Sequence, residues 1–550
     1  MTEQGFSVCI FRDKLQNKKF FREKAYDSLF IETPAFDILI EGIILNKKKL
    51  LKNSYSSFND YLITHYADHG WRILQQLEGE FRGYIWDKRK NKMLVFTNPT
   101  STQKVFYSKL EDHIFIDTDL VRLNRTIKES GFSISPDIAA FYQLMVLGSL
   151  LENKTPLENI YKVLDGHFLD IDIQNQIITE REYFNISGIE YYKKNKEKAL
   201  DDIHEVFSDS IKMEYEKDME LNTSHLSLLS GGLDSRMALL YALKNNFDIG
   251  CAFCFSQSQY FDEKISRKIA KDYGLNYEFV PLDGGLFLNK IDELTRISEG
   301  MTLYTGGIHV HHAINNLTYK DFSIFHSGQI GDGILGGFNS EPRKKNPTEY
   351  KIVMNKLFLP KVESDLESAF RNHEKEEIFL LRNLAYNRTV FGAQVFQQKA
   401  YQTSPFMTKS FIELAISLPE EWKYKHRFYF EWLSKHCKEA EKYIWERTLM
   451  KPDAKWKVFV GDKIVKRSFV QFYNRILKLP QKTSMYPYQY YYDSDIAIQD
   501  CYQQYFNNNI DRLENYPELK KDVIRLFSER SFHYKSLAVN ILAVFKLYFK

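Results

Sequence analysis

The run His225-Leu226-Ser227-Leu228-Leu229-Ser230-Gly231-Gly232-Leu233-Asp234-Ser235-Arg236-Met237-Ala238-Leu239-Leu240 decides the fold of the 550-residue chain. Leu226 to Leu229 predict a strand, a helical pattern starts directly after Ser235, and Ser230 to Ser235 form the turn between them. Two consecutive glycines let such a turn tighten against an anion, with the N–H groups of the turn and of the helix N-terminus aimed at it. Asp234 has the wrong sign of charge to hold a phosphate, so it is assigned to a Mg²⁺ that the phosphates share. The turn reads as a cradle for ATP with its metal. It is not a Walker A loop, because the G-x-x-x-x-G-K-[ST] spacing is absent and no lysine follows the glycines.

Downstream of this turn, strand and helix patterns alternate. IGCAFCFS (Ile249 to Ser256) is a strand, DEKISRKIAKDYG (Asp262 to Gly274) a helix, and YEFVPL (Tyr277 to Leu282) a strand. Strands separated by helices of this length predict βαβ units and a parallel sheet. A second loop, Ser327-Gly328-Gln329-Ile330-Gly331-Asp332-Gly333, follows the apolar run Phe322 to Phe325, at a strand end where open parallel sheets place ligands. Beyond Thr348 the periodicity is helical, and MYPYQYYYD (Met485 to Asp493) is expected to be ordered by its own aromatic burial.

Upstream, FSVCIF, FDILIEGIIL, FRGYIWD, KMLVFT, KVFYS and HIFID are short β-branched and aromatic runs, which predict packed antiparallel sheets. GHFLDIDIQNQIITEREYF alternates apolar and polar residues around Asn175-Gln176 and predicts a hairpin. The run KKNK (Lys193 to Lys196) precedes a helical pattern from about Ala199. The domain boundary is placed there, dividing the chain into residues 1–194 and 195–550.

Composition narrows the function. The 75 basic and 72 acidic residues leave 75 − 72 = +3, which lacks the field expected of a nucleic-acid binder. Five scattered cysteines predict a reducing compartment, and Cys251 and Cys254 fall on opposite faces of one strand. The start of the sequence carries no secretory pattern. Its longest apolar stretches, Ala140 to Leu151 and Ser536 to Phe549, are too short to span a bilayer, so a cytoplasmic protein away from membranes is expected. His309-Val310-His311-His312 has no carboxylate or cysteine at ligand spacing and is assigned to substrate contact or helix packing. Lys47 to Lys49 and Arg343 to Lys345 are read as solvated faces, with a mobile lid over ATP as the alternative for the second, which lies between Pro342 and Pro347.

SGGLDS in this context resembles the pyrophosphate loop of the ATP-pyrophosphatase superfamily. SGQIGDGILGGF (Ser327 to Phe338) resembles the corresponding loop of asparagine synthetases and their relatives, which include β-lactam synthetases and lasso-peptide cyclases. LEGEFRGYIWD (Leu77 to Asp87), NKTPLENIYKVLDGHFLDID (Asn153 to Asp172) and SPFMTKSFIELAISLPEEWKY (Ser404 to Tyr424) resemble further family stretches in family order. The resemblance implies an N-terminal Ntn-hydrolase-like antiparallel sandwich of the class II glutamine amidotransferase kind. A parallel-sheet ATP-pyrophosphatase domain with a helical C-terminal extension would follow it. It implies a ligase that adenylates a carboxylate, releases pyrophosphate and passes the acyl group to ammonia or an amine, and it admits a homodimer. Leu228, Ser230, Gly231, Gly232, Asp234, Ser235, Phe255, Ser327 and Gly328 would contact ATP. Asp234 and Asp332 would hold Mg²⁺, and Arg447 or Lys451 would steady the transferring phosphate.

Departures from the family pattern are equally specific. Thr2 replaces the nucleophilic cysteine, Glu41-Gly42-Ile43-Ile44-Leu45-Asn46 replaces the glutamine-holding NGEIYN, and Thr97-Asn98 replaces an Arg-Asp pair. Three losses point to a first domain without glutaminase activity. Gln329 stands where the family has an acidic base, and Thr403 and Thr408 replace an Arg and an Asp, which weighs against free aspartate as substrate. Alternatives are a tailoring ligase acting on a peptide or a surface-polysaccharide sugar, and a silent nucleotide-binding partner subunit. Intact Asp234 and Asp332 weigh against the last.

Overall fold

The computed structural model describes residues 5–12, 14–20, 26–51, 55–339 and 349–549; Thr2 and the Arg343 to Lys345 run lie outside them. Among the described residues eleven strands precede the first long helix: β1 (Gly5–Phe11), β2 (Lys14–Phe20), β3 (Leu29–Glu32), β4 (Phe36–Ile44), β5 (Gly79–Asp87), β6 (Lys92–Thr97), β7 (Phe106–Leu110), β8 (His113–Asp117), β9 (Tyr161–Lys162), β10 (His167–Asp172) and β11 (Ile177–Glu182). They form two antiparallel sheets, ordered β2-β1-β8-β7-β9 and β11-β10-β6-β5-β4-β3. Alternate residues of facing strands fill the space between them: Phe6, Val8 and Ile10 from β1, Ile114 and Ile116 from β8, Tyr84 from β5 and Leu169 from β10, all buried. Strand β4 is buried at every position, because its other face also packs in a core, which explains its almost unbroken apolar run. The predicted hairpin is β10–β11.

The second part is built on five parallel strands: β12 (His225–Leu228), β13 (Ile249–Ser256), β14 (Tyr277–Pro281), β15 (Ile324–His326) and β16 (Tyr401–Thr403), ordered β14-β13-β12-β15-β16. The chain lays β13 and β14 on one side of β12 and β15 and β16 on the other. The order reverses between β12 and β15, and a crevice opens at the ends of two neighbouring strands. The two loops singled out in the sequence leave these two strands.

The remainder is helical, ending in the helix Phe532–Tyr548. Antiparallel sandwich, parallel sheet and helical extension are the fold expected. The helix Lys196–Glu220 starts where the sequence pattern changes, with the Asn195 side chain accepting from the Lys198 N–H. The two largest cores nonetheless draw on both sides of that point. Phe141 of the helix Ile138–Leu147 meets Phe545 with ring centroids 4.4 Å apart, and Phe168 shares a core with Leu200 and Phe207. The tyrosine-rich stretch is packed as expected, with Tyr486, Tyr488 and Tyr492 against the larger core and Tyr491 within it. Among the described residues no helix is long and apolar enough to cross a membrane. All five cysteines are free, and Cys9 is half-buried.

Candidate functional site

Ser230 to Ser235 leave β12 and run into the helix Leu233–Lys244 as the sequence predicts. The turn is held from within: the Ser230 N–H and hydroxyl meet Ser235 Oγ at 3.1 and 3.0 Å, and the Gly232 N–H donates to Ser230 Oγ at 3.1 Å. The Gly231 N–H is directed at Asp262 Oδ1, 3.0 Å away. The glycine amides are therefore engaged within the protein, and what faces the cavity is the helix N-terminus, which no side chain caps.

The loop after β15 interlocks with this turn. A Cβ on Gly328 would lie 2.2 Å from the Asp234 carbonyl carbon, and one on Gly331 2.7 Å from Asp234 Cγ, so both positions exclude any side chain. The Asp332 N–H donates to Asp234 Oδ2 over 2.8 Å, and the buried Tyr429 hydroxyl donates to Asp234 Oδ1 over 2.8 Å. Withdrawal from water and the neighbouring charge of Asp332 push the Asp234 carboxyl well above its ordinary range. Two carboxylates brought together against their own repulsion form a hard oxygen donor set that fits Mg²⁺.

A cavity of about 780 Å³ opens over both loops. Leu228, Ser230, Gly232, Asp234, Ser235, Phe255, Ser327, Gly328, Asp332 and Arg447 line it, and Gly231 lies in the turn beneath. Arg447 Nη1 lies 3.6 Å from Asp332 and donates to His426 Nε2 over 3.2 Å; burial holds that imidazole down at about 4, hence neutral and able to accept.

Lys451 is the exception: it is exposed and lies outside the cavity lining. Trp445 and Met450 bridge as a tight turn, with the Trp445 N–H donating to Met450 O at 2.8 Å and Leu449 at φ 57°, and the chain leaves in another direction. Lys466, from the helix Lys466–Gln471, lines the cavity instead, with its ammonium 3.2 Å from Glu446 O. Sequence reading also missed Tyr429, Asp262 and Arg236. The fully buried Arg236 guanidinium donates to Gly231 O, Ala440 O, Tyr443 O and Ile444 O, tying the first loop to the segment that carries Arg447.

The departures also have places. Gln329 donates to Thr389 O and accepts from Gln402, a held amide with no proton to exchange. Thr403 and Thr408 are buried, bonded to Glu214 and Ser210. His309 faces the cavity and meets the Tyr488 hydroxyl at 3.0 Å, while His311 pairs with Glu293 and His312 packs on Phe287. In the first domain, Asn98 bonds Thr100, Thr102 and Glu80 in a closed buried network, and Glu41 is clamped by Arg82 at 2.7 Å.

Comparison with known proteins agrees with this architecture. Residues 35–184 match the glutamine amidotransferase domain model and residues 202–395 the asparagine synthase model. The chain is similar to asparagine synthetase [glutamine-hydrolyzing] 2 of Bacillus subtilis, 22% identical over 43% of this chain and 33% of that protein. It is also similar to amidase chry2 of Gibberella zeae, 19% identical over 44% and 37%. The match thus spans about a third of the length of these relatives. Glutamine PRPP amidotransferase from B. subtilis overlays loosely, at TM-score 0.22 and 10% identity over 60% of this chain and 71% of that one. With both domain models matched in order, the chain belongs to the asparagine synthase-like family and carries a glutamine amidotransferase domain ahead of its synthase domain.

Proposed function

We propose that residues 195–550 form an ATP-dependent amide-forming ligase and that residues 1–194 are an amidotransferase-type domain without glutaminase activity. The observation that carries the reading is the Asp234–Asp332 pair, held together at the floor of a cavity beside an uncapped helix N-terminus. A substrate carboxylate oxygen attacks the α-phosphorus of ATP, and the bond to the β-phosphate oxygen breaks. Pyrophosphate departs towards the first turn of the helix Leu233–Lys244. The nitrogen of ammonia or a substrate amine then attacks the acyl carbon, AMP leaves, and the amine proton passes to solvent. Asp234 and Asp332 would hold Mg²⁺, which when bound supplies positive charge against the phosphates. Tyr429 fixes the rotamer of Asp234. Arg447 and Lys466 bring fixed positive charge to the cavity wall, and neutral His426 orients Arg447.

The reading of the first domain is supported by Asn98 and Glu41, whose polar atoms are spent on internal bonds. A cytoplasmic setting fits the absence, among the described residues, of a membrane-crossing helix and of paired cysteines. Pyrophosphate release from ATP across a panel of carboxylic acids, with ammonia, simple amines or glutamine as nitrogen donor, tests the proposal. Acid-dependent release supported by ammonia or an amine is expected. No acid-dependent release refutes the ligase, and equal stimulation by glutamine and ammonia refutes the silent first domain.

A further inference from the structure

Beneath the two nucleotide loops, on the face of the parallel sheet away from the cavity, lies a second polar cluster. Ser227 is in register with His326, so His225, two residues earlier on β12, projects from the same face as His326 on the neighbouring strand. The helix Lys196–Glu220 lies over that face and presents Glu214 and Asp218, four residues apart and so on one side. Asp218 Oδ2 lies 3.1 Å from His225 Nδ1 and 2.6 Å from His326 Nε2, and one donor atom from each of the three residues falls within 4.8 Å of the others. None is accessible: Asp218 is fully buried, His326 1% exposed and His225 6%. Asp218 Oδ1 is buried without a hydrogen-bond partner, a costly arrangement for a carboxylate with no further occupant beside it.

We propose that Asp218, His225 and His326 bind a structural zinc ion. Two imidazole nitrogens and a carboxylate are a zinc donor set, and the unpartnered second oxygen of Asp218 is available as a further donor. The surroundings are those of an outer shell. His326 turns its other nitrogen towards Glu214 Oε2, 3.6 Å away and longer than a hydrogen bond, and Glu214 accepts from the Thr403 hydroxyl at 2.9 Å; closing that gap on metal binding would complete a carboxylate–histidine–metal order. Tyr215 stacks on His326 with centroids 3.9 Å apart. The ion would pin β12, β15 and the covering helix together at their base. His326 is followed directly by Ser327-Gly328, and β12 leads into Ser230, so it would brace the floor from which both nucleotide loops rise. The cluster shares no residue with the Asp234–Asp332 site, and the two proposals stand or fall separately.

The test is metal content. Untagged protein, incubated with zinc and passed through gel filtration in metal-free buffer, is expected to retain one zinc per chain by elemental mass spectrometry. His225→Gln is expected to lower zinc retention about tenfold or more, and Asp234→Asn to leave it unchanged. Cobalt(II) loaded in its place should give visible d–d bands that zinc abolishes. Less than about a tenth of an equivalent of zinc retained by the wild-type protein, no cobalt spectrum, or full zinc retention in His225→Gln would each overturn the proposal. In that case the cluster is a protonated His326 held between two carboxylates. If His225→Gln does not fold, wild-type zinc content and the cobalt spectrum decide alone.

Discussion

The backbone N–H of Asp332 donates to the carboxylate of Asp234 across 2.8 Å, so the residue that brings a second negative charge to the site also partly neutralises the first through its own amide. That bond joins two loops that are 98 positions apart in the chain, and it makes the carboxylate pair a property of the fold rather than of a flexible surface.

Asp234→Asn separates charge from shape. The amide oxygen still accepts from Tyr429 or Asp332, while the repulsion is removed. Pyrophosphate release is expected to fall about a hundredfold or more, and the thermal unfolding midpoint without ATP to stay level or rise. A midpoint several degrees lower together with retained activity would contradict the assignment.

Gly328→Ala tests the interlock. Its methyl group would meet the backbone of Asp234 at 2.2 Å, with no flexible side chain to yield, so the loops must part. A loss on the order of 1–3 kcal/mol in denaturant-measured stability and a raised KM for ATP are expected. Gly274→Ala, at a position where a Cβ meets nothing within 4 Å but φ is +67°, supplies the comparison for backbone strain alone.

The basic residues divide cleanly. Lys466→Ala is expected to lower kcat and raise the KM for ATP, about tenfold or more in kcat/KM. Lys451→Ala, at an exposed residue outside the cavity, is expected to change kcat/KM by less than about twofold. Steady-state kinetics of the two variants measured side by side decide between them.

Glu80 should make stability depend on pH. Burial pushes its carboxyl from 4.5 to about 7 in the folded protein, against bonds from Thr102 and Gln103 that favour the ionised form. The folded state therefore holds a proton that the unfolded state has released, and stability falls as pH rises from about 4.5 to about 7. The loss is on the order of 3 kcal/mol across that window. Chemical denaturation at pH 5 and pH 8 should show the fall, and Glu80→Gln should flatten it.

The strand–turn–helix around Asp234 and the loop around Asp332 were legible in the sequence because each is one continuous segment with a turn chemistry of its own. Tyr429, Asp262 and Arg236 were not. Each sits in a helix whose pattern reads as ordinary packing, and its function appears only when another element approaches. Lys451 misleads for the opposite reason: spacing along the chain puts it near Arg447, and the Trp445–Met450 turn carries it away while bringing Lys466 in. The start of the long helix Lys196–Glu220 was visible as a change of periodicity. The sharing of cores across it was not, since apolar residues carry no label for the partner they will meet.

That sharing bears on the order in which the protein can be made. Lys128 donates to Tyr548 O, 420 residues later, and Phe141 is covered by Phe545. While the chain emerges from a ribosome, the early helix Ile138–Leu147 must keep its apolar side waiting until the helix Phe532–Tyr548 has been synthesised. Loss of the helix Phe532–Tyr548 would therefore be expected to uncover the apolar side of Ile138–Leu147, a consequence written into one helix–helix contact.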